Sequence, residues 1–152
     1  MKHLLILSTL LPFLLTADEL VRNGDFNALT PAGLPQAWDV RAKGVDTVEV
    51  KDGVLTVKSA TPDGMVFLIQ TDVPLKQGGA YLLRYQAEAP DGASYRVYLE
   101  SMLQQDGKRS SRSFGAAWQQ GKGGDFRQHQ EFFTFPAPWQ KPYLVLNVKG
   151  DK

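Results

Sequence analysis

The sequence lacks cysteine altogether and has only two histidines, and its 17 basic and 16 acidic residues leave a net charge of +1. A chain without cysteine forms no disulfide and no thiolate zinc site, and it offers no cysteine nucleophile. A balanced charge gives no electrostatic reason to bind nucleic acid or an anionic membrane surface. We therefore expect no nucleic-acid partner, and we exclude the enzyme classes that depend on cysteine.

Long apolar runs are also missing after the first 15 residues. Residues 1–17 have the pattern of a secretory signal peptide, in which Lys2 and His3 precede the apolar run Leu4 to Leu15 and Ala17 offers a small residue for cleavage. That run is too short to span a bilayer, which takes about 20 residues. We expect no membrane insertion, a secreted or periplasmic/cell-surface location, and one domain in residues 18–152.

The rest of the sequence alternates short β-branched or aromatic runs with turn residues, about every ten residues. Between Ser110 and Asp125 the alternation weakens, and we expect one short strand and a long loop there. Helical periodicity of useful length and internal repeats are both missing. The pattern predicts an all-β fold, an antiparallel sandwich of two sheets. The predicted strands are 45–50, 54–59, 65–69, 80–89, 94–104, 126–135 and 143–149.

A series of short motifs runs along residues 19–149. Asn23–Phe26 reads Asn-Gly-Asp-Phe, and Pro35–Trp38 has proline and tryptophan at its ends. Gln70–Tyr81 carries a glutamine, a turn glycine and then a tyrosine-led strand, and Phe133–Pro136 reads Phe-Thr-Phe-Pro. In order and spacing these motifs, which together cover most of residues 19–149, resemble those of the jelly-roll carbohydrate-binding modules of families four, nine and twenty-two, which are galactose-binding-domain-like. Phe133–Pro136 resembles the penultimate strand of these modules.

This resemblance implies a jelly roll whose concave sheet face binds a polysaccharide or oligosaccharide, with no cofactor required. Gln70 and Asn147 are candidate ligand-binding residues on this basis. The resemblance also implies a structural calcium site, for which Glu19 and Asp25 offer oxygen ligands. Such modules usually end in a further strand bearing an acidic motif, whereas this sequence stops at Lys152. We expect a shortened relative or a fragment, with one sheet edge left open.

Two consecutive predicted strands, 80–89 and 94–104, alternate between apolar and polar side chains. If both strands belong to one sheet, their polar sets form a single patch of planar groups that suit sugar hydroxyls. The same alternation decorates many sandwiches, so the patch also has a plain structural explanation. The patch comprises Arg84, Gln86, Glu88, Arg96, Tyr98 and Glu100.

The three tryptophans have different expected roles. Trp38 lies in the entry motif, and its counterpart in the related modules packs inside the sandwich. Trp118 stands beside a glycine-rich loop, and Trp139 lies between Pro138 and Pro142. An aromatic ring on an irregular loop is a candidate platform for stacking a sugar ring, and packing at the sandwich edge is the alternative for both.

We therefore predict a non-catalytic, exported carbohydrate-binding domain. A structural or adhesive β-sandwich that binds a protein partner through an open sheet edge is the alternative. A small glycoside hydrolase or lyase is less favoured. It would need Glu88 and Glu100 as a carboxylate pair, or Tyr98, Arg96 and His129 as a cluster. A lone strand histidine such as His129 is more typically a surface residue.

Overall fold

The computed structural model describes residues 19–42, 47–58, 64–105, 108–114, 117–124 and 126–149. The predicted signal peptide lies outside these residues. Within them every regular element is a β-strand, so the all-β prediction is confirmed. No helix in this part of the chain is long and apolar enough to cross a membrane.

Ten strands make up the described chain, and most coincide with the apolar and alternating runs of the sequence. The exceptions are a short strand at residue 39 that the sequence did not predict, and the 108–120 region, where two strands replace the single short one expected. The strands are β1 (Asp39–Arg41), β2 (Thr47–Lys51), β3 (Val54–Lys58), β4 (Met65–Gln70), β5 (Ala80–Ala87), β6 (Ser94–Gln105), β7 (Lys108–Phe114), β8 (Gln119–Gln120), β9 (Arg127–Thr134) and β10 (Gln140–Lys149).

The main sheet is antiparallel, with its strands in the order β1-β4-β10-β6-β7, and β8 pairs with part of β6. β10 therefore lies in the middle, hydrogen-bonded to β4 on one side and to β6 on the other. A register shift interrupts the β6–β10 pairing between Gln140 and Tyr143. A central strand covered on both faces should be apolar on both, and Leu144 and Val145 are indeed both buried.

A second layer, the pair β5–β9, packs on one face of the main sheet. Leu83 of β5 meets Leu99 of β6 and Leu144 of β10 in the core, and Phe133 of β9 packs against this cluster. The alternation in β5 predicts this orientation, because Tyr81, Leu83 and Tyr85 recur at every second position and so share one side of the strand. The two layers form the predicted antiparallel sandwich.

The hairpin β2–β3 turns at Asp52 and Gly53, as the Asp-Gly pair predicts. Both residues have positive φ angles, 52° and 74°, as a type I′ turn requires. A Cβ at position 53 would lie 3.2 Å from the Asn27 side chain and from the Asp25 carbonyl oxygen. The turn therefore sits close against the N-terminal loop, and glycine serves both the backbone conformation and the close approach.

The entry motifs of the sequence hold that N-terminal loop together. The Asn23 side chain donates to the carbonyls of Ala28 and Gln36 and accepts from the amide of Ala28. The Trp38 indole donates to the Asn23 carbonyl at 3.3 Å, and its ring packs against the core cluster. Trp38 is half-buried and packs against the edge of the core, which agrees with a packing role but not with a place deep in the sandwich.

Candidate functional site

The face of the main sheet that points away from β5–β9 carries an unusual set of polar and aromatic side chains. Because Val97 and Leu99 of β6 pack in the core, the alternate residues of that strand point to the other side. We call this surface the Tyr98 face. It comprises Asp39 and Arg41 of β1, Phe67 and Ile69 of β4, Tyr143, Val145 and Asn147 of β10, and Arg96, Tyr98 and Glu100 of β6.

Arg96 is the centre of this face. Its guanidinium carbon lies 4.2 Å from the ring centroid of Tyr98 and 4.6 Å from that of Trp118. The pairing of β8 with β6 at Tyr95 and Gln119 brings Trp118 to this position. Cation–π contacts with two rings hold the guanidinium group in place, and the Trp118 side chain keeps 37% of its surface exposed.

Asn147 lies directly across from Arg96 in the β6–β10 ladder. It has no exposed surface, and neither atom of its side-chain amide makes a hydrogen bond of good geometry among the described residues, although the amide lies close enough to the Tyr98 hydroxyl to lower the pKa of that group slightly. The Nε of Arg96 is likewise buried without a partner in that part of the chain. Unpaired buried polar groups destabilise a fold, and native proteins tolerate few of them. Two neighbouring residues with buried polar groups of this kind therefore require an explanation.

The two tyrosines beside Arg96 and Asn147 have raised pKa values. Burial raises the pKa of Tyr98, although the Arg96 charge opposes the shift. Burial and the negative charge of Glu100 raise the pKa of Tyr143 to about 12. Both hydroxyls are therefore protonated at neutral pH, and each can donate and accept hydrogen bonds.

The Tyr98 face places its carboxylates far apart. Asp39 is paired with Arg41 at 2.8 Å, and Glu100 stands on β6, three strand spacings from β1. Three spacings amount to about 14 Å, whereas paired glycosidase carboxylates stand about 5 to 9.5 Å apart. The two carboxylates lie too far apart on this sheet to act as such a pair.

The predicted polar patch does not form as a unit, because its two strands belong to different sheets. Arg84 and Gln86 lie on β5 and Glu88 follows that strand, whereas Arg96, Tyr98 and Glu100 lie on β6 of the main sheet. The single-patch interpretation is therefore corrected to two separate surfaces. The suggested carboxylate pair of Glu88 and Glu100 fails for the same reason.

Gln70 is also placed differently from the ligand-binding role that the resemblance implied. It points to the core side of β4 and has no exposed surface. Its side chain accepts from the Arg22 amide at 2.8 Å and donates to the Arg22 carbonyl at 2.7 Å. Gln70 thus fixes the N-terminal segment to the main sheet, and both ends of its amide are already used.

Trp139 lies just before β10 and is half-buried. Its carbonyl accepts a hydrogen bond from the Gln77 side chain at 3.1 Å. It makes no cation–π contact with Arg96 in the described part of the chain. Of the two predicted loop platforms, the structure brings only Trp118 to the Tyr98 face.

The calcium ligands suggested by the resemblance, Glu19 and Asp25, lie in the N-terminal segment. The Asp25 carboxylate accepts from the backbone and side-chain nitrogens of Asn27, and these hydrogen bonds lower its pKa. Within the described ranges no group of three acidic or histidine side chains could hold a metal ion. The calcium site therefore stays a prediction.

His129 was expected at the surface, but the structure places it between the two layers. Its ring stacks on Tyr85 with centroids 4.7 Å apart, and its Nε2 lies 2.9 Å from the Tyr95 hydroxyl. Burial lowers the pKa of His129, and the nearby charge of Arg127 lowers it further. His129 and Tyr98 therefore lie on opposite sides of the main sheet, and the suggested lyase cluster does not assemble.

Tyr143 and Phe67 belong to the Tyr98 face, and the sequence analysis missed both. Their strands were predicted correctly. Their place on this face follows from the pairing of β10 between β4 and β6. Alternation reveals which residues of a strand share a face, but it does not reveal which strands are neighbours.

Comparison with known proteins bears on the fold. No protein-family model matches the sequence, and no curated protein does. The crystal structure of the enzymatically active domain of bacteriophage CBA120 tailspike protein 4 aligns with a TM-score of 0.62 and 16% identity, covering 86% of this chain and 19% of that one. A structure named "CBM4 structure and function" aligns with a TM-score of 0.46 and 19% identity, covering 86% and 88% of the two chains. At 16% identity the likeness to the tailspike domain concerns the fold alone, and this chain spans less than a fifth of the tailspike chain.

Proposed function

We propose that this protein is a non-catalytic carbohydrate-binding domain that holds a polysaccharide or oligosaccharide on the Tyr98 face. The observation that carries the proposal is the position of Arg96 over Tyr98 and Trp118, next to the unpaired amide of Asn147. Aromatic rings meet the C–H faces of a sugar ring, and planar guanidinium and amide groups bind its hydroxyls.

The geometry suggests an order of contact. Trp118 is the exposed member of the cluster and is available to a ligand first. Asn147 has no exposed surface, so a hydroxyl reaches its amide only when a neighbouring side chain moves. A sugar hydroxyl both donates and accepts, and it would supply the partners that the amide lacks. Binding would then remove the free-energy cost of burying the Asn147 amide without hydrogen bonds, in addition to forming new contacts.

The sequence supports this function independently of the geometry, through its resemblance to carbohydrate-binding modules of families four, nine and twenty-two. The signal-peptide pattern of residues 1–17 fits a secreted or periplasmic/cell-surface protein, where extracellular polysaccharides are encountered. A calcium ion near Glu19 and Asp25 would then be structural, and sugar binding itself requires no cofactor.

The separation of Asp39 and Glu100 supports a binding role without catalysis. The tailspike neighbour is an enzymatically active domain, but this chain matches only 19% of its length. That activity is therefore not carried over to this protein.

A protein partner is the second candidate, and a specific feature favours it. In the described part of the chain β5 and β9 pair only with each other, so each has one unpaired edge. An extended segment of another protein could add there as a further strand. The proposal of sugar binding does not depend on these edges.

Affinity electrophoresis tests the sugar-binding proposal. The protein without residues 1–17 is run through gels that contain β-glucan, xylan, mannan or pectin, and the hits are quantified by calorimetry. We expect retardation by at least one polysaccharide. The Trp118→Ala change should weaken binding about tenfold, as removal of an aromatic anchor does.

Leu29→Ala is the matched control, because Leu29 is exposed but lies in the N-terminal loop, outside the strands of the Tyr98 face. This variant should bind like the wild type. Near-ultraviolet circular dichroism shows whether each variant is folded. Folded protein that no polysaccharide retards would overturn the proposal and favour the protein partner.

A further inference from the structure

The outward side of the β5–β9 pair carries the most exposed aromatic ring of the described chain. The Phe132 side chain is 78% exposed, and its cross-strand partner Leu82 is 43% exposed. We call this surface the Phe132 face. Its six side chains, all exposed, are Leu82, Arg84, Gln86, Gln128, Gln130 and Phe132.

The register arranges these side chains in three successive rungs. Phe132 stands opposite Leu82, Gln130 opposite Arg84, and Gln128 opposite Gln86. Residues of one face repeat every second position, so the rungs extend over about 13 Å along the strands. The apolar pair thus stands at one end of a flat strip, and the planar hydrogen-bonding groups follow it.

The chemistry of the strip is that of a sugar site. The exposed ring offers a flat apolar surface, and the four planar side chains offer donors and acceptors in fixed directions. No carboxylate and no lysine belong to the six side chains. The strip therefore suits neutral hydroxyl groups better than a strongly charged ligand.

The size of the apolar part decides between a sugar and a protein. A stable protein interface buries about 800 Å² on each partner, and its centre is apolar. Within the three rungs the apolar part consists of Leu82 and Phe132, whose ring could bury about 150–250 Å², and the exposed Phe126 lies beyond the rungs, directly before β9. That area matches the face of one sugar ring and is far too small for a stable dimer core.

We propose that the Phe132 face is a second carbohydrate-binding surface, separate from the Tyr98 face and on the opposite side of the sandwich. Its ligand class rests on the proposed function, but its location does not. Because the two faces point away from each other, one molecule would engage two polysaccharide chains. Such bivalent binding strengthens retention on a dense polysaccharide without any new contact.

Four proteins tested side by side distinguish one binding surface from two: the wild type, Phe132→Ala, Trp118→Ala and the double variant. Each is run through the β-glucan, xylan, mannan and pectin gels, and each is titrated with the polysaccharide that retards the wild type. We expect each single variant to keep reduced binding, weakened about five- to tenfold. The double variant should lose retardation. Leu29→Ala is again the matched control, with wild-type behaviour expected.

The outcomes separate the two proposals. If Phe132→Ala binds like the wild type, or if Trp118→Ala alone abolishes binding, the second surface is overturned. If Phe132→Ala weakens binding and Trp118→Ala does not, the second surface stands and the proposed role of the Tyr98 face fails. Phe132→Ala is also compared with the wild type by sedimentation. A change in oligomeric state without a change in retardation assigns the ring to contact between copies and overturns the sugar site.

Discussion

The Tyr98 face and the Phe132 face are built from similar residues, yet they differ greatly in burial. Each combines an aromatic ring, an arginine and at least one side-chain amide. Tyr98 is 4% exposed and Phe132 is 78% exposed. The difference follows from what covers each ring, because the Arg96 guanidinium carbon lies 4.2 Å from the Tyr98 ring centroid in the main sheet, whereas Phe132 stands on a pair of strands that has no third strand in the described chain. The same residue types are thus part of the packing in one sheet and free surface in the other.

The largest expected effect is a difference in the free energy of unfolding between two variants, one on each face. Tyr98→Ala removes a buried ring and should lower the free energy of unfolding by about 3 kcal/mol. Phe132→Ala should change it by no more than about 0.5 kcal/mol, since the ring is exposed. Urea unfolding of both variants measures the contrast. Equal losses would mean that the Phe132 ring is packed, contrary to its exposure.

A smaller effect tests the unpaired amide of the Tyr98 face. Asn147→Leu replaces a buried polar group that has no partner in the described chain with an apolar one of similar size. We expect it to raise the free energy of unfolding by about 1 kcal/mol, because the penalty of burying the amide disappears. The same change should weaken polysaccharide binding.

Urea unfolding and affinity gels measure the two effects of Asn147→Leu together. Asn147→Asp, which keeps the shape but adds a charge, should instead destabilise the protein. A loss of stability in Asn147→Leu would show that the amide is well paired in the folded protein, contrary to the structure.

The smallest effect concerns the contact that joins the β5–β9 pair to the main sheet. The pKa of His129 lies below its ordinary value of 6.5, so the folded state takes up a proton less readily than the unfolded chain does. The stability contribution of neutral His129 is present above about pH 6.5 and is lost as the pH falls below it.

The urea midpoint should therefore drop between pH 7.5 and pH 5.5, and His129→Phe should show a smaller drop. A nuclear magnetic resonance titration gives the pKa directly. A His129 pKa at or above 6.5 would contradict the burial of the ring against Tyr85 and Tyr95.

Most strands were predictable because each depends on local patterns, whereas β1 and the division into β7 and β8 were not. The alternation of apolar and polar residues indicates which side of β5 and of β6 faces the core. The Asp52-Gly53 pair indicates the β2–β3 turn. The neighbours of each strand were not predictable in this way. Pro90–Gly92 leads the chain from one layer to the other, so the consecutive strands β5 and β6 belong to different sheets. A turn of the same composition would equally well join two strands of one sheet.

The candidate site was partly predictable for the same reason. Arg96, Tyr98 and Glu100 share a face because they alternate on one strand. Their association with Asn147 depends on β10, which pairs with strands far away in sequence. The role of Gln70 was predicted wrongly, because its motif does not indicate to which side of the sheet the side chain points. The Gln70 amide forms hydrogen bonds with the backbone of Arg22.

The central position of β10 also affects how the protein is made. Until residues 140–149 leave the ribosome, no strand joins β4 to β6. The main sheet then consists of two unconnected parts. The Tyr98 face therefore waits for the strand that lies furthest along the described chain, whereas the β5–β9 pair does not include that strand. Such long-range pairing slows folding, so the Tyr98 face forms late, after the strand that completes the main sheet has arrived.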